Sequence, residues 1–290
     1  MNILITGAAG GFGELIVTGL VGADHTVVGS VRDPNGRNAG KVAKLKELGA
    51  DVVEIDVTND ASVAAGVAAA TEKLGQIDVL INNAGVGVHG LAENFSIDDM
   101  KRVFDINVYG VQRMTREVLP AMRERHSGLI LNISSLLGRM VMPFYGPYNA
   151  SKWAVEALTE NYRVELSGFG VDVAIIEPGG FPTAFMDNLI HPSNPDRNEG
   201  YGEMAGAPDA AFAGFQEFLK SNPQQNPQLV ADAVVSVIGM APGTRPFRTE
   251  VDKIGMGDAI KGLNGTLEQI MNGVYSNMGM EGMLKLNTAA

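Results

Sequence analysis

The 290 residues are 45% hydrophobic, enough for a substantial core, and carry a formal charge of −11 from 22 Lys+Arg and 33 Asp+Glu. That charge leaves no basic surface to offset a phosphate backbone, so no nucleic-acid partner is expected. The absence of cysteine removes disulfide scaffolds, thiolate metal sites and thiol nucleophiles, and it fits a cytoplasmic location, which is the one expected.

Met1 leads straight into Asn2, Ile3, Leu4 and Ile5, too short an apolar run for a signal-peptide core. No run approaches the roughly 18 apolar residues of a membrane span, so a soluble protein with no membrane partner is expected. Short β-branched runs at 3–5, 26–31, 52–55, 77–81, 129–133 and 171–176 predict strands buried on both faces. Between them, apolar residues at steps of three and four from Ile97 through Phe104, Val108 and Val118 to Met122 predict one long amphipathic helix, with a kink or early end at Pro120. Strand alternating with helix over the first 180 or so residues implies an α/β, doubly wound parallel sheet with helices on both faces. Residues 191–200 are rich in Pro, Asn, Asp and Gly and predict a mobile loop. Helices follow at about 207–220 and 229–240, joined by a Pro/Gln/Asn connector at 223–227.

The first predicted strand runs into Thr6-Gly7-Ala8-Ala9-Gly10-Gly11-Phe12-Gly13, and a helix opens at Glu14. A strand, a glycine turn and a helix start in that order let bare backbone N–H groups and the helix dipole meet a pyrophosphate. A glycine-rich connection that binds nothing has the same local features. The second strand ends in Val31 and Arg32, where an acidic residue would select NAD(H) by bonding a free ribose 2′-hydroxyl. A guanidinium suits a 2′-phosphate instead, so NADP(H) is favoured and NAD(H) stays open: Asp33 comes next, and Arg32 has the bland alternative of a solvated surface arginine.

Asn132-Ile133-Ser134-Ser135 closes another predicted strand, and Tyr148 and Lys152 follow at a spacing of four, which on a helix stacks them on one face. An adjacent ammonium would draw the Tyr148 phenol down toward a useful acid/base range. The Ser135 hydroxyl would polarise the same substrate oxygen.

With these motifs in order, the first 185 or so residues resemble the short-chain dehydrogenase/reductase family. Its glycine signature corresponds to Thr6 through Gly13, including Gly7, Gly11, Phe12 and Gly13; its Asn-Asn-Ala-Gly element to Asn82, Asn83, Ala84 and Gly85; and its Tyr-x-x-x-Lys to Tyr148 and Lys152. Its serine stands thirteen positions before the tyrosine in many members, which selects Ser135 over Ser134. The resemblance implies that Asp56 and Val57 hold the adenine, that Asn107 completes a proton relay through water and Lys152, and that Pro178, Gly179, Phe181 and Thr183 pack beside the nicotinamide. It further implies a Rossmann fold in a single domain over 1–290, with a substrate lid at 187–228 and a C-terminal extension at 252–290. The ending, with Arg245-Pro246-Phe247-Arg248 before a Met- and Gly-rich tail, is loosely similar to the hydroxysteroid-dehydrogenase-like branch.

The implied activity is hydride transfer between a nicotinamide dinucleotide and a carbonyl or alcohol of a small, partly apolar molecule, and the implied assembly is a homodimer or homotetramer. Phe185, Met186, Leu189, Phe212, Phe215 and Phe218 are candidates for one apolar wall, and Met140, Val141, Phe144 and Tyr145 for another, although any of them equally suits plain packing. The four histidines are scattered, and no metal is expected. Two rival readings stay open: a dinucleotide-binding redox sensor without turnover, and a lyase or epimerase that uses the cofactor transiently.

Overall fold

The computed structural model describes residues 1–288, so the last two residues of the expected 252–290 extension lie outside the described residues. Its centre is a parallel sheet of β1 (Asn2–Ile5), β2 (Thr26–Val31), β3 (Asp51–Glu54), β4 (Val79–Asn82), β5 (Gly128–Ile133), β6 (Val171–Pro178) and β7 (Arg248–Val251). Their spatial order is β3-β2-β1-β4-β5-β6-β7, the doubly wound arrangement expected. The six strands read from the sequence are present, with ends displaced by at most two residues.

Alternate side chains of each strand feed two cores. Ile3 and Ile5 face one core, with α1 (Gly13–Gly22), α2 (Ala39–Glu47) and α8 (Gln228–Gly239) packed over it through Ile16, Leu45 and Val234. Leu4 faces the other, covered by α3 (Asp60–Leu74), α5 (Gly110–Glu124) and the end of α6 (Gly146–Leu166) through Val67, Met114 and Leu166. The chain reverses its direction of winding between β1 and β4, which leaves a crevice at the carboxyl ends of these strands.

The long amphipathic helix is not uniform. It divides into α4 (Ile97–Phe104) and α5, joined by a π-helical turn at Asp105–Tyr109. The wide turn rotates the two halves relative to each other, so Ile97, expected on the apolar face, is 71% exposed. Ser96 and Asp99 close the start of α4 with a reciprocal capping box. At the other end α5 continues past Pro120 to Glu124, so of the expected kink or early end, the early end does not occur. Pro120 and Arg116 are exposed, so the carbonyl that the proline ring leaves unbonded is on the solvent side of the helix.

The stretch read as a mobile loop carries short helical turns and side-chain bonds to α4 and the segment before it. Ser193 donates to Asp99, and 3₁₀ turns over Pro195–Gly206 carry Arg197 and Tyr201 to Glu93, at 2.7 and 2.9 Å. Then come α7 (Ala207–Lys220) and α8. The glycine-rich tail forms α9 (Gly257–Asn277), anchored by buried Ile260 and Asn264. Among the described residues no helix is long and apolar enough to cross a membrane.

Candidate active site

The turn after β1 is shaped by glycine. Gly7 and Gly11 hold φ of +65° and +51°, and a Cβ on Gly13 would stand 2.3 Å from the Gly7 carbonyl oxygen. Asn83, at the end of β4, braces this turn: its Nδ2 donates to the carbonyls of Thr6 at 2.9 Å and Gly7 at 3.1 Å. The Thr6 hydroxyl oxygen accepts in return from the backbone N–H groups of Asn83 and Ala84, both at 3.0 Å.

A cavity of about 900 Å³ runs along the carboxyl ends of the strands. The second and third strands deliver Arg32, Asp56 and Val57; the fourth, Asn83, Ala84 and Gly85; the fifth and α6, Ser135, Tyr148 and Lys152. Gly7, Gly11 and Phe12 line it between them, and Pro178 at the end of β6 lines it with Gly179, Phe181 and Thr183 beyond. Of the residues singled out from the sequence, Gly13 and Asn107 do not line the cavity but stand buried behind it. Phe12 and Phe181 meet edge to face with centroids 5.6 Å apart, so they close the wall against each other.

Two cations that sequence reasoning missed, Arg37 and Lys41, join Arg32 on the wall at the end of β2. They belong to no motif, and only the turn before α2 brings them round to the cavity. Asp33, the residue that counted against NADP(H), adopts φ +52° and accepts the Arg37 N–H at 3.1 Å, so its carboxylate folds into its own turn. Burial pushes the Asp56 carboxyl up, but the Thr58 N–H and hydroxyl, at 3.0 and 2.7 Å, and the charges of Arg32 and Arg113 outweigh it and hold the group below its ordinary value.

At the other end, Tyr148 and Lys152 do share a face of α6, and the Lys152 Nζ lies over the phenol ring, 5.6 Å from its centroid. The expected lowering of the phenol is absent. Burial pushes Tyr148 up to about 12, opposed by the Ser135 hydroxyl beside it, and burial brings Lys152 down to about 8, opposed by Glu156. Low-dielectric surroundings penalise phenolate and ammonium alike. The Lys152 ammonium also points to the Ile133 carbonyl, at 2.9 Å, and not to the phenol oxygen. Ser135 accepts from the Leu137 N–H at 3.1 Å.

Asn107 sits in the π-helical turn, its Nδ2 donating to the Val86 carbonyl at 2.9 Å and to the Ser151 hydroxyl at 3.0 Å while its Oδ1 accepts the Val86 N–H. A Cβ on Gly85 would stand 3.3 Å from that Oδ1 and 3.9 Å from the Lys152 Nζ, so the bare glycine keeps a gap between them.

The apolar walls are partly as expected. Phe185, Met186, Leu189, Phe215 and Tyr145 line the cavity, joined by Met142 and Met256. Val141 and Phe218 are exposed, and Phe212 packs at a tilt against His89, ring centroids 4.9 Å apart. Met140 and Phe144 do not reach the lining. Among the described residues, no group of three or more His, Asp and Glu is placed to hold a metal ion.

Accessible backbone N–H groups at a helix start, a carboxylate at Asp56 and cations at the end of β2 fit a dinucleotide laid across the sheet. A family model described as short chain dehydrogenase matches residues 1–194. A 3-ketodihydrosphingosine reductase of Bacteroides thetaiotaomicron is 35% identical over 251 residues, covering 86% of this chain and 87% of that protein. Two solved structures superpose over most of the chain. An actinorhodin polyketide ketoreductase variant with NADPH has a TM-score of 0.72 at 29% identity, covering 89% of this chain and 97% of that one. A 3-ketoacyl-(acyl-carrier-protein) reductase from Brucella melitensis with NADH has a TM-score of 0.71 at 27% identity, covering 86% and 96%. The chain therefore belongs to the short-chain dehydrogenase/reductase family of oxidoreductases, whose solved members bind nicotinamide dinucleotides.

Proposed function

We propose that this protein is an NADP(H)-dependent reductase of a ketone on a partly apolar, chain-like molecule, working in reverse as an alcohol dehydrogenase. The observation that carries the reading is the convergence of the Ser135 hydroxyl, the Tyr148 phenol and the Lys152 ammonium on one cavity that Arg32, Arg37 and Lys41 also line.

A bound dinucleotide would supply hydride exchange with the substrate carbon. Tyr148 gives its proton to the oxygen formed on reduction and takes it back on oxidation, while Ser135 holds that oxygen by a hydrogen bond. Lys152 binds the ribose and lends positive charge to the phenol as it ionises. The gap that bare Gly85 leaves between Asn107 and Lys152 gives room for the water that refills the proton, with Asn107 as its anchor. Asp56 and Val57 hold the adenine, and Pro178, Gly179, Phe181 and Thr183 the nicotinamide.

Arg32, Arg37 and Lys41, with the Asp33 carboxylate turned away, favour a 2′-phosphate over a free hydroxyl. Phe185, Met186, Leu189 and Phe215 favour an apolar chain, in keeping with the keto substrates named for the relatives. Tyr109 and Trp153, both exposed on the helical segments that carry Asn107 and Lys152, suit a homodimer or homotetramer. The test is a panel of 3-keto acyl compounds, smaller ketones and alcohols, each with both dinucleotides, followed by nicotinamide absorbance. Steady consumption of NADPH with a keto compound is expected; binding of the dinucleotide with no turnover of any carbonyl or alcohol would leave a sensor.

A further inference from the structure

Behind the lysine of the active site lies a buried set of charges that the reaction described above does not use. Lys152, Glu156 and Glu160 follow one another at steps of four on α6, and so stack on successive turns. Glu156 is 1% exposed and Glu177, on β6, is fully buried. Arg248 of β7 reaches between them: its Nε is 3.2 Å from Glu156 Oε2 and 3.2 Å from Glu177 Oε1, and its Nη2 is 3.2 Å from Glu160 Oε2. From α9, Asn264 donates to Glu177 at 2.8 Å and to Glu250 at 2.7 Å, and accepts from Arg139 at 2.7 Å. Gly138 makes the room: a Cβ there would stand 2.9 Å from Glu156 Cγ and 3.0 Å from Ser134 Oγ.

Four carboxyl groups, Glu156, Glu160, Glu177 and Glu250, thus face three cations, Lys152, Arg139 and Arg248. A buried excess of negative charge is costly, and one shared proton removes it. Glu156 and Glu177 are the pair that Arg248 holds together, and burial pushes both carboxyl groups up, Glu177 to about 8. With that proton in place, three negative charges balance three positive ones, and Lys152 is one of the three.

We infer that Glu156 is a positioning residue for Lys152, its carboxylate supplying from one turn behind the negative charge that keeps the lysine an ammonium, and that Glu177 moderates this charge by sharing a proton with Glu156. The inference rests on the reductase reading for its consequence in catalysis. The two carboxyl groups act on Lys152 with opposite sign. Glu156→Gln removes the nearby anion, so Lys152 loses its proton at lower pH. Glu177→Gln removes the partner that draws the proton, leaves Glu156 fully ionised, and so holds the proton on Lys152 to higher pH.

The experiment is an NMR titration of protein labelled with ¹³C at the lysine ε-carbon, the Lys152 resonance being assigned by its loss in Lys152→Met. The midpoint should fall by about one pH unit in Glu156→Gln and rise in Glu177→Gln; the alkaline limb of kcat/KM for ketone reduction should move in the same two directions. Unchanged midpoints, or shifts of the same sign in both variants, would overturn the inference. If Glu156→Gln does not fold, Glu177→Gln decides alone, and a midpoint there that does not rise rejects it. Wild-type protein that turns over no substrate while the midpoints still diverge would defeat the reductase reading and leave the charge coupling standing.

Discussion

The side-chain amide of Gln225 donates to the Gly180 carbonyl at 2.9 Å, and this bond ties the connector before α8 to the segment beside the expected nicotinamide. The same amide donates to Asp252 Oδ1 at 3.0 Å, and Gln225 Oε1 accepts the Lys253 N–H at 2.8 Å. One side chain, 1% exposed, therefore fastens the segment after β6, the expected lid and the start of the tail to one another.

Replacing Gln225 with alanine strands a carbonyl, a carboxylate oxygen and an N–H in the interior. At about 1–3 kcal/mol for each unpaired buried group, relieved in part by water entering the gap, the loss should be roughly 2–4 kcal/mol. Denaturant unfolding measures it, and dinucleotide affinity should fall with it because Gly179 and Gly180 lose their anchor. A variant as stable as the parent would mean that the three segments hold together without it.

Tyr148→Phe should reduce turnover on the order of 100- to 10,000-fold, the usual worth of a positioned proton donor. Dinucleotide binding should change little, since the ring and its contact with Phe185, centroids 5.9 Å apart, are retained. Trp153, the single tryptophan, adjoins Lys152 and provides a fluorescence signal for the titration. Substantial residual turnover would pass the proton role to another group.

Arg32→Ala and Lys41→Ala should each weaken NADP(H) roughly 10- to 100-fold, the worth of a charge-assisted hydrogen bond, and leave NAD(H) almost untouched. The preference should also narrow as salt is raised. Isothermal titration with both dinucleotides measures the difference, and equal losses for the two would place the 2′-phosphate elsewhere.

Asp99 carries a pH signature. Burial pushes its carboxyl up, but donors from Ser193 and Ser96 outweigh it and hold the group below its ordinary value. A carboxyl lower in the folded than in the unfolded chain adds stability above the unfolded value, and that stability is lost as pH falls through the folded value. Asp99→Asn should therefore lower Tm at neutral pH, and the gap from wild type should close as the solution is taken to about pH 3. A gap constant with pH would show that charge at this position is irrelevant.

The parts of the fold and site that were legible in the sequence are those that depend on local spacing. Strands buried on both faces read as unbroken apolar runs, and Gly7, Gly11 and Gly13 announced a tight turn because no other residue suits it. The separation of Tyr148 from Lys152 stated a shared helix face directly. What was missed depends on distant contacts. Gly257, Gly262, Gly265 and Gly273 disguised α9, which is held by Ile260 and Asn264 against the sheet and not by its own propensity. Arg37 and Lys41 became cavity residues only through the fold of the preceding turn. The upward push on the phenol comes from its enclosure in the cavity, whose wall includes Phe185 from far along the chain, and spacing within α6 says nothing of that.

The five residues from Asp105 to Tyr109 take one more amino acid than an even helical pitch would accept. Deleting a single residue there would restore an even pitch with the helical faces on either side still in register, so the change would fall on the turn itself. Met114, Val118 and Met122 would stay against the sheet, while Asn107 would lose its place against Val86. Surface loops in general tolerate a change of length; at this point the count of residues is as binding as their identity.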